Sequence, residues 1–409
     1  MSRDFRELNP PRRLLLGPGP SNVDTRVLKA MSSPLVGHLD PYFLEVMDET
    51  MDLIRRTFKT RNRFSIPISA TGSGGMEAAL CNILEPGDKA VVCINGLFGE
   101  RMKEVAERCG AEVTEVKAEW GEAIDLYEVE KAVKEATPKL VAVVHAETST
   151  GVLQPLEGFA EAAHENGALL LVDAVTSLGG CKLEVDQMGI DICYSGTQKC
   201  LNCPPGLSPI TLTEDALQAV RSRRRKVQSW YLDLSLIDQY WGEERIYHHT
   251  APISMIYALR EALRAVQEEG LERRWARHRQ ASSALVAGIE SMGLSMWARD
   301  HRCPTLNSIK IPEGVDDRSV RKTLLEDFGI EIGRGLGPLR GKIWRIGLMG
   351  VNASRSAVLE LLSSLEQALR LEGYPVKRGI GVEAAIAAYE ARILGCEEIF
   401  KQDLKGGRP

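Results

Sequence analysis

Two short stretches dominate the interpretation of this sequence: Leu169-Leu170-Leu171-Val172-Asp173 and Tyr194-Ser195-Gly196-Thr197-Gln198-Lys199. The first is an apolar run that ends in an acid, and the second places a lysine among small and hydroxyl residues. The first has the length of a buried strand, and the second begins at the end of another predicted strand, Ile192–Ser195. In sheets of alternating strands and helices, ligands bind at the carboxyl ends of the strands. We therefore expect Asp173 and Lys199 to face one ligand.

The chemistry of this pair suits pyridoxal phosphate. A lysine amine forms a Schiff base with the aldehyde of that cofactor, and a carboxylate keeps its pyridine nitrogen protonated. Taken alone, Lys199 fits a solvated surface position, and Asp173 fits a turn as well as a ligand site. The interpretation depends on their occurring together, in this order, after a glycine-rich turn.

Outward from these stretches, the pattern predicts an α/β fold with a mainly parallel seven-stranded sheet and helices on both faces. The predicted strands are Phe64–Ser69, Ala90–Ile94, Glu112–Val116, Leu140–His145, Ala168–Val172, Ile192–Ser195 and Ser208–Leu212. The helices predicted between them are Met76–Leu84, Gly99–Cys109, Leu126–Ala136 and Leu156–Asn166.

A chain of 409 residues is long for one core, which predicts more than one domain. We expect an N-terminal arm at 1–22, a large domain at 23–275, a smaller α+β domain at 276–376 and a helical extension at 377–409. The extended arm is predicted from Gly17-Pro18-Gly19-Pro20, because two Gly-Pro steps are incompatible with a helix.

Further candidate site residues lie at other predicted strand exits. Thr71-Gly72-Ser73-Gly74-Gly75 precedes a helix and could hold one phosphate, although such a turn is equally often structural. Phe98 could stack on a planar ring or pack in the core. Thr148 could hydrogen-bond a ring substituent. Arg345 lies within an apolar strand, where its charge needs an anion: a substrate carboxylate, or an acid in a structural salt bridge.

Composition argues against several classes of function. The net charge of −5 disfavours nucleic acid as the main partner, and the basic run from Arg221 to Lys226 is read as a solvated loop or a subunit contact. No apolar run is long enough to cross a bilayer. Nine scattered cysteines and no secretory signal suggest reduced thiols and a cytoplasmic protein. No metal is expected at Cys200-x-x-Cys203 or at His248-His249, which lack complementary ligands.

Four motifs together resemble one family. They are Thr148-Ser149-Thr150-Gly151-Val152-Leu153-Gln154-Pro155-Leu156, the segment from Leu171 to Gly180, the segment from Tyr194 to Lys199, and Tyr247-His248-His249-Thr250. The sequence is similar over nearly its full length to class V, fold-type I aminotransferases, specifically the alanine–glyoxylate and serine–pyruvate branch.

The resemblance implies a role for each matching position. Lys199 would bond the cofactor and move the proton, and Asp173 would contact the pyridine nitrogen. Val175 and Phe98 would pack on the two faces of the ring, with Thr148 near it. The residues implied at the phosphate are Thr71, Gly72, Ser73 and Gln198, with Tyr247 and Thr250 reaching the phosphate of the neighbouring subunit of a homodimer. Arg345 would clamp the substrate carboxylate, and Gly19 and His38 would also border the substrate.

The resemblance leaves the amino donor open. It implies transfer of an amino group from alanine or serine to glyoxylate. The C-terminal part is also similar to ureidoglycine–glyoxylate aminotransferases, but that subgroup typically has glutamine at the position of His38 and asparagine at that of Tyr247. Arg334, unexpected in its turn, raises aspartate as another donor.

The sequence gives weaker support to two functions outside this class. A nucleotide-dependent dehydrogenase is disfavoured because Gly333-Arg334-Gly335 precedes a strand instead of opening a helix. A binding protein built on the Arg221–Lys226 run would predict salt-sensitive nucleic-acid binding.

Overall fold

The computed structural model describes residues 7–391 and contains the predicted seven-stranded sheet. Its strands lie in the order β2-β10-β9-β8-β5-β3-β4, and only β10 runs antiparallel to its neighbours. These strands are β2 (Phe64–Ile68), β3 (Lys89–Ile94), β4 (Glu112–Lys117), β5 (Leu140–Val144), β8 (Leu169–Asp173), β9 (Ile192–Tyr194) and β10 (Ser208–Leu212). The interior strand β5 is buried at every position, as expected where helices cover both faces.

Helices alternate with these strands and continue beyond them. They are α1 (Thr25–Met31), α2 (Pro41–Phe58), α3 (Gly72–Ile83), α4 (Leu97–Arg108), α5 (Leu126–Ala136), α6 (Phe159–His164), α7 (Glu214–Arg221), α8 (Leu234–Trp241), α9 (Ile253–Glu269), α10 (Leu271–Ser291), α11 (Asp317–Asp327) and α12 (Arg355–Leu371). N-cap residues mark the first turns of several helices. The Asp40 and Asp125 side chains, for example, accept hydrogen bonds from backbone amides in the first turns of α2 and α5.

A second, four-stranded sheet lies in the C-terminal part, in the order β1-β12-β13-β11. Its strands are β1 (Leu14–Leu16), β11 (Leu306–Lys310), β12 (Ile330–Arg334) and β13 (Ile343–Gly347). The N-terminal arm supplies β1, which pairs in parallel with β12. The arm is therefore extended, as predicted, but it is built into the sheet of the smaller unit.

Two main hydrophobic cores correspond to the two sheets. The first extends along the chain to Trp275, and the second begins at Leu16 and resumes at Ala281. Helix α10 contributes to both cores and connects them. The proposed domain boundaries themselves stay a prediction.

Several predicted elements differ in extent. Helix α6 is shorter than predicted, because Gly158 before it has a left-handed backbone with φ of 86°. Helices α7 and α8 and the two-stranded ribbon of β6 (Ala146–Glu147) and β7 (Val152–Leu153) were not predicted. Within the proposed helical extension at 377–409, residues 380–391 are helical, and residues 392–409 lie outside the described residues. Among residues 7–391, none of the helices has the length and apolar character needed to cross a membrane.

Candidate active site

The cavity of interest lies at the carboxyl edge of the large sheet and has a volume of about 210 Å³. It brings together residues that the sequence separates by more than a hundred positions. The predicted site residues that line it are Thr71, Gly72, Ser73, Phe98, Thr148, Asp173, Val175, Gln198 and Lys199. The cavity is also lined by residues for which the sequence indicates no role, among them Met76, Arg101 and Thr176.

Lys199 reaches this cavity from the turn after β9. Its amine donates a hydrogen bond to the Pro18 carbonyl of the N-terminal arm. Burial, followed by the positive charge of Arg345, lowers the pKa of Lys199 to about 8. A larger fraction of the amine is therefore neutral, and so nucleophilic, than for an exposed lysine.

Asp173 ends β8 and is 3% exposed. It accepts hydrogen bonds from the Tyr194 hydroxyl at 2.7 Å and from the Val175 amide at 2.8 Å. Burial nevertheless raises the pKa of Asp173 above its ordinary value. A buried carboxylate with this environment suits a positively charged partner, such as a protonated pyridine nitrogen.

The N-terminus of α3 forms the phosphate-sized end of the cavity. Thr71 precedes the helix without capping it, and the first turn contains no acidic residue, so the helix dipole has no local anion. A Cβ atom on Gly72 would lie 3.0 Å from Val175 Cγ2, so glycine allows the backbone to pack against that side chain. These observations fit the binding of a phosphate group.

Phe98 lies in the first turn of α4, whose start is held by a side chain that the sequence analysis did not single out. Glu147 is buried and accepts hydrogen bonds from the amides of Phe98 at 3.0 Å and of Gly99 at 3.4 Å. Its other oxygen accepts from the Ser149 amide and hydroxyl. The Arg101 guanidinium lies over the Phe98 ring, 5.0 Å from its centroid.

Arg345 lies in β13, and its guanidinium is oriented by carbonyl groups. Nε donates to the Arg334 carbonyl at 2.7 Å, and Nη1 donates to the Thr148 carbonyl at 3.0 Å. Among the described side chains it has no ion-pair partner, so the structural salt bridge considered from sequence is not found there. Burial lowers the pKa of Arg345 to about 10. This geometry leaves the guanidinium available for a carboxylate from outside.

Arg345 does not itself line the cavity but contacts the carbonyl of Thr148, which does. The remaining predicted residues do not line the cavity either. Gly19 lies beside Lys199: it has φ of 103°, and a Cβ atom there would lie 2.5 Å from the lysine Nζ. His38 and Tyr247 contact each other, with their ring centroids 5.3 Å apart. Tyr247 is 56% exposed and Thr250 is also exposed.

The other motifs have structural environments. Cys200 and Cys203 are buried, and no cluster of three or more potential metal ligands occurs between residues 7 and 391. In the basic run, Arg221 pairs with Glu214, and Arg223 donates to the Asn82 and Leu84 carbonyls at the end of α3.

The fold and this arrangement of lysine, aspartate and free helix N-terminus define a pyridoxal phosphate-dependent enzyme of fold type I. A family profile described as aminotransferase class-V matches residues 14–339. The chain belongs to this family and is an aminotransferase.

Named relatives agree with this assignment. The crystal structure of ureidoglycine–glyoxylate aminotransferase from Bacillus subtilis is 45% identical, with a TM-score of 0.93 over 94% of this chain and 100% of that one. Alanine–glyoxylate aminotransferase of Callithrix jacchus is 44% identical over 90% of each chain. The alanine–glyoxylate aminotransferase structure from Nostoc sp. is 48% identical, with a TM-score of 0.89 over 90% of this chain and 98% of that one.

Proposed function

We propose that this enzyme transfers the amino group of a small amino acid, alanine or serine, to glyoxylate, which yields glycine and a 2-oxo acid. The observation that carries the proposal is the relation between Lys199 and Arg345. Lys199 presents its amine to the cavity, and the Arg345 guanidinium is hydrogen-bonded to the carbonyl of Thr148, which lines the same cavity. The positive charge of Arg345 also contributes to the lowered pKa of Lys199. An α-amino acid carries both the amine and the carboxylate that such a pair would handle.

In this proposal each residue has a distinct task. When bound, pyridoxal phosphate supplies an aldehyde that takes up amino groups and a protonated ring that withdraws electrons. Asp173 holds the proton of the ring nitrogen, and the N-terminus of α3 binds the phosphate. Arg345 binds the carboxylate of the donor and then of glyoxylate. Lys199, once free, removes the proton from the donor α-carbon and later returns a proton to the acceptor.

The donor is tested by mixing the cofactor-loaded enzyme with single amino acids and following the loss of its visible absorbance. Alanine or serine is expected to bleach it, and glyoxylate to restore it. Lys199→Ala should lack the lysine-linked absorbance and the bond that borohydride reduces. Bleaching by neither alanine nor serine would contradict the proposed donors. Rapid bleaching by aspartate would instead support a role for the exposed Arg334, whose carbonyl orients Arg345.

The alternative function is amino transfer from (S)-ureidoglycine, and one contact bears on it. His38 and Tyr247, the two positions at which amides are implied for that activity, lie next to each other, with their ring centroids 5.3 Å apart. An imidazole and a phenol offer fewer donors to a ureido group than two amides. The chemistry of these two side chains therefore supports alanine or serine as the donor.

The double variant His38→Gln/Tyr247→Asn tests that argument. If the pair selects the donor, the variant should gain activity with ureidoglycine and lose activity with alanine. High ureidoglycine activity of the unchanged enzyme would favour the alternative. Tyr127→Asn, an exposed aromatic on α5, serves as the matched surface control.

We further propose a cytoplasmic homodimer with shared active sites. Exposed large apolar side chains are concentrated in two segments, 28–42 and 230–247, and the second contains Tyr247. The eight cysteines in the described part of the chain are free, which suits a reducing compartment. Mixing inactive Lys199→Ala with Tyr247→Ala subunits should restore part of the activity if the sites are shared. Sedimentation as a monomer would contradict the dimer.

A further inference from the structure

Asn202 follows Lys199 by three residues and has an unusual environment. It is 2% exposed and adopts a left-handed backbone with φ of 53°. Its backbone N–H donates to the Lys199 carbonyl at 3.2 Å, and this hydrogen bond closes the turn that carries the lysine. Its side chain points away from the cavity, which it does not line, into a junction between several segments.

The side-chain NH₂ group of Asn202 donates to two parts of the molecule. Its acceptors in the N-terminal arm are Ser21 Oγ and the Asn22 carbonyl, both at 3.0 Å. The third acceptor is the Met349 carbonyl, at 3.2 Å, just after β13. One amide therefore connects the arm to the strand that carries Arg345.

The side-chain oxygen of Asn202 accepts from two further groups. These are the Val351 amide at 2.8 Å and the buried guanidinium of Arg274 on α10 at 3.1 Å. Gly350 makes this approach possible, because a Cβ atom at that position would overlap the Asn202 amide. The 349–351 segment is thus held against Asn202 on both sides of Gly350.

The lysine side of the junction is equally constrained. The buried Ser21 hydroxyl donates to the Lys199 carbonyl at 2.8 Å, and the Ser21 amide donates to the Gln198 carbonyl at 2.9 Å. A continuous path of hydrogen bonds therefore runs from the Lys199 turn, through Ser21 and Asn202, to the segment that follows β13.

We propose that Asn202 is a positioning residue that fixes the carboxylate clamp Arg345 relative to the amine of Lys199. This inference rests on the proposed function for the roles of those two residues. The amide is suited to the task because its two N–H groups are shared among three oxygens while its carbonyl oxygen accepts from two donors, which neither a carboxylate nor an aliphatic side chain of similar shape can do. Misplacement of about 1 Å between reacting groups can cost on the order of a hundredfold in rate.

The test is Asn202→Gly, which removes the amide but is compatible with the left-handed backbone. The cofactor-loaded variant is mixed with alanine or with ethylamine, which is alanine without its carboxylate, and bleaching is measured at several concentrations. We expect the efficiency with alanine to fall by about tenfold, and that with ethylamine to change by less than about threefold. Equal losses with both amines, or no loss with alanine, would overturn the proposal.

Controls separate this inference from the proposed function and from general damage. Thr137→Gly replaces an exposed residue with φ of 45° and should change neither efficiency. Ser21→Ala breaks the same path more mildly and should show the same selective loss, so the proposal remains testable if Asn202→Gly does not fold. If the unchanged enzyme formed no borohydride-reducible bond at Lys199, the proposed function would fail instead.

A measurement without cofactor adds an independent readout. In the apo-protein, hydrogen exchange should become faster at residues 14–22 and 349–353 in Asn202→Gly but not in Thr137→Gly. Unchanged exchange in both segments would mean that the amide does not connect them, which would also overturn the proposal.

Discussion

Tyr194 Oη donates a hydrogen bond of 2.7 Å to Asp173 Oδ2 between the neighbouring strands β9 and β8. The two residues are register partners in the parallel pair, so the strand alignment itself brings them together. Together with burial, this contact fixes the orientation of the carboxylate that faces the cofactor cavity. The hydroxyl also opposes the effect of burial, because its hydrogen bond lowers the pKa of Asp173.

Tyr194→Phe should therefore impair catalysis without preventing the cofactor from binding. Loss of a hydrogen bond to a buried charged group costs about 1.5–3 kcal/mol, so we expect kcat to fall by at least about tenfold. The pKa of Asp173 should rise, so the loss of activity on acidification should begin at higher pH. Tyr389→Phe is the control, because its buried hydroxyl has no hydrogen-bond partner among the described residues. An unchanged pH–rate profile would contradict this role of Tyr194.

The lowered pKa of Lys199 predicts how the apo-protein captures its cofactor. Only the neutral amine attacks the aldehyde, so the rate of capture should rise with pH through about 8 and level off above it. Stopped-flow absorbance after mixing with pyridoxal phosphate measures this rate. Arg345→Met removes a positive charge that lowers this pKa and should move the midpoint upward. A rate that still climbs steeply at pH 10, as for an exposed lysine, would show that the amine is not perturbed.

Arg345→Ala should raise KM for the amino acid and for glyoxylate together, because both carry a carboxylate. A lost bidentate contact predicts an increase of about ten- to a hundredfold. Arg340→Ala, at an exposed position in the preceding turn, provides the control. If KM changed for one substrate alone, the two carboxylates would not share this clamp.

Glu147→Gln tests the start of helix α4. The carboxylate accepts four hydrogen bonds, and an amide would turn an NH₂ group toward one pair of these donors. We expect the free energy of unfolding to fall by about 2 kcal/mol, measured in denaturant at pH 7. Ser149→Ala removes the hydroxyl contact and should cost less. Because burial raises the pKa of Glu147, the original protein should gain stability as the pH falls from 7 through that pKa, whereas the Glu147→Gln variant has no titrating group there, so the deficit of the variant should widen on acidification.

Much of the large sheet could be predicted from the sequence because each strand is a short apolar run between turn signals. Helix α5 was predicted with the observed bounds, since Asp125 marks its start and the apolar period is regular. The β6–β7 ribbon was not predicted, because a strand of two residues is too short to show an alternation of apolar and polar side chains. Helices α7 and α8, at eight residues each, were too short to stand out.

The candidate site likewise contains residues that could be predicted from the sequence and residues that could not. Lys199, Asp173 and the glycine-rich turn could be selected because polar groups directly after apolar strands are conspicuous. Glu147, Arg101 and Ser21 were missed, since nothing in their local sequence indicates a contact with a distant helix start, aromatic ring or lysine turn. The homodimer and the roles of Tyr247 and Thr250 stay predictions.

By itself, the sequence determined the class of architecture and the chemistry of its central pair, because strand periodicity and residue type are local properties. Only the tertiary structure decided which groups surround that pair. The alignment of β9 with β8 brings the Tyr194 hydroxyl to Asp173, the folding back of the arm brings Pro18 to Lys199, and the packing of the 349–351 segment makes Asn202 a junction. These contacts join segments that lie far apart along the chain, so burial and hydrogen-bond satisfaction in the folded state select them, and no local pattern encodes them.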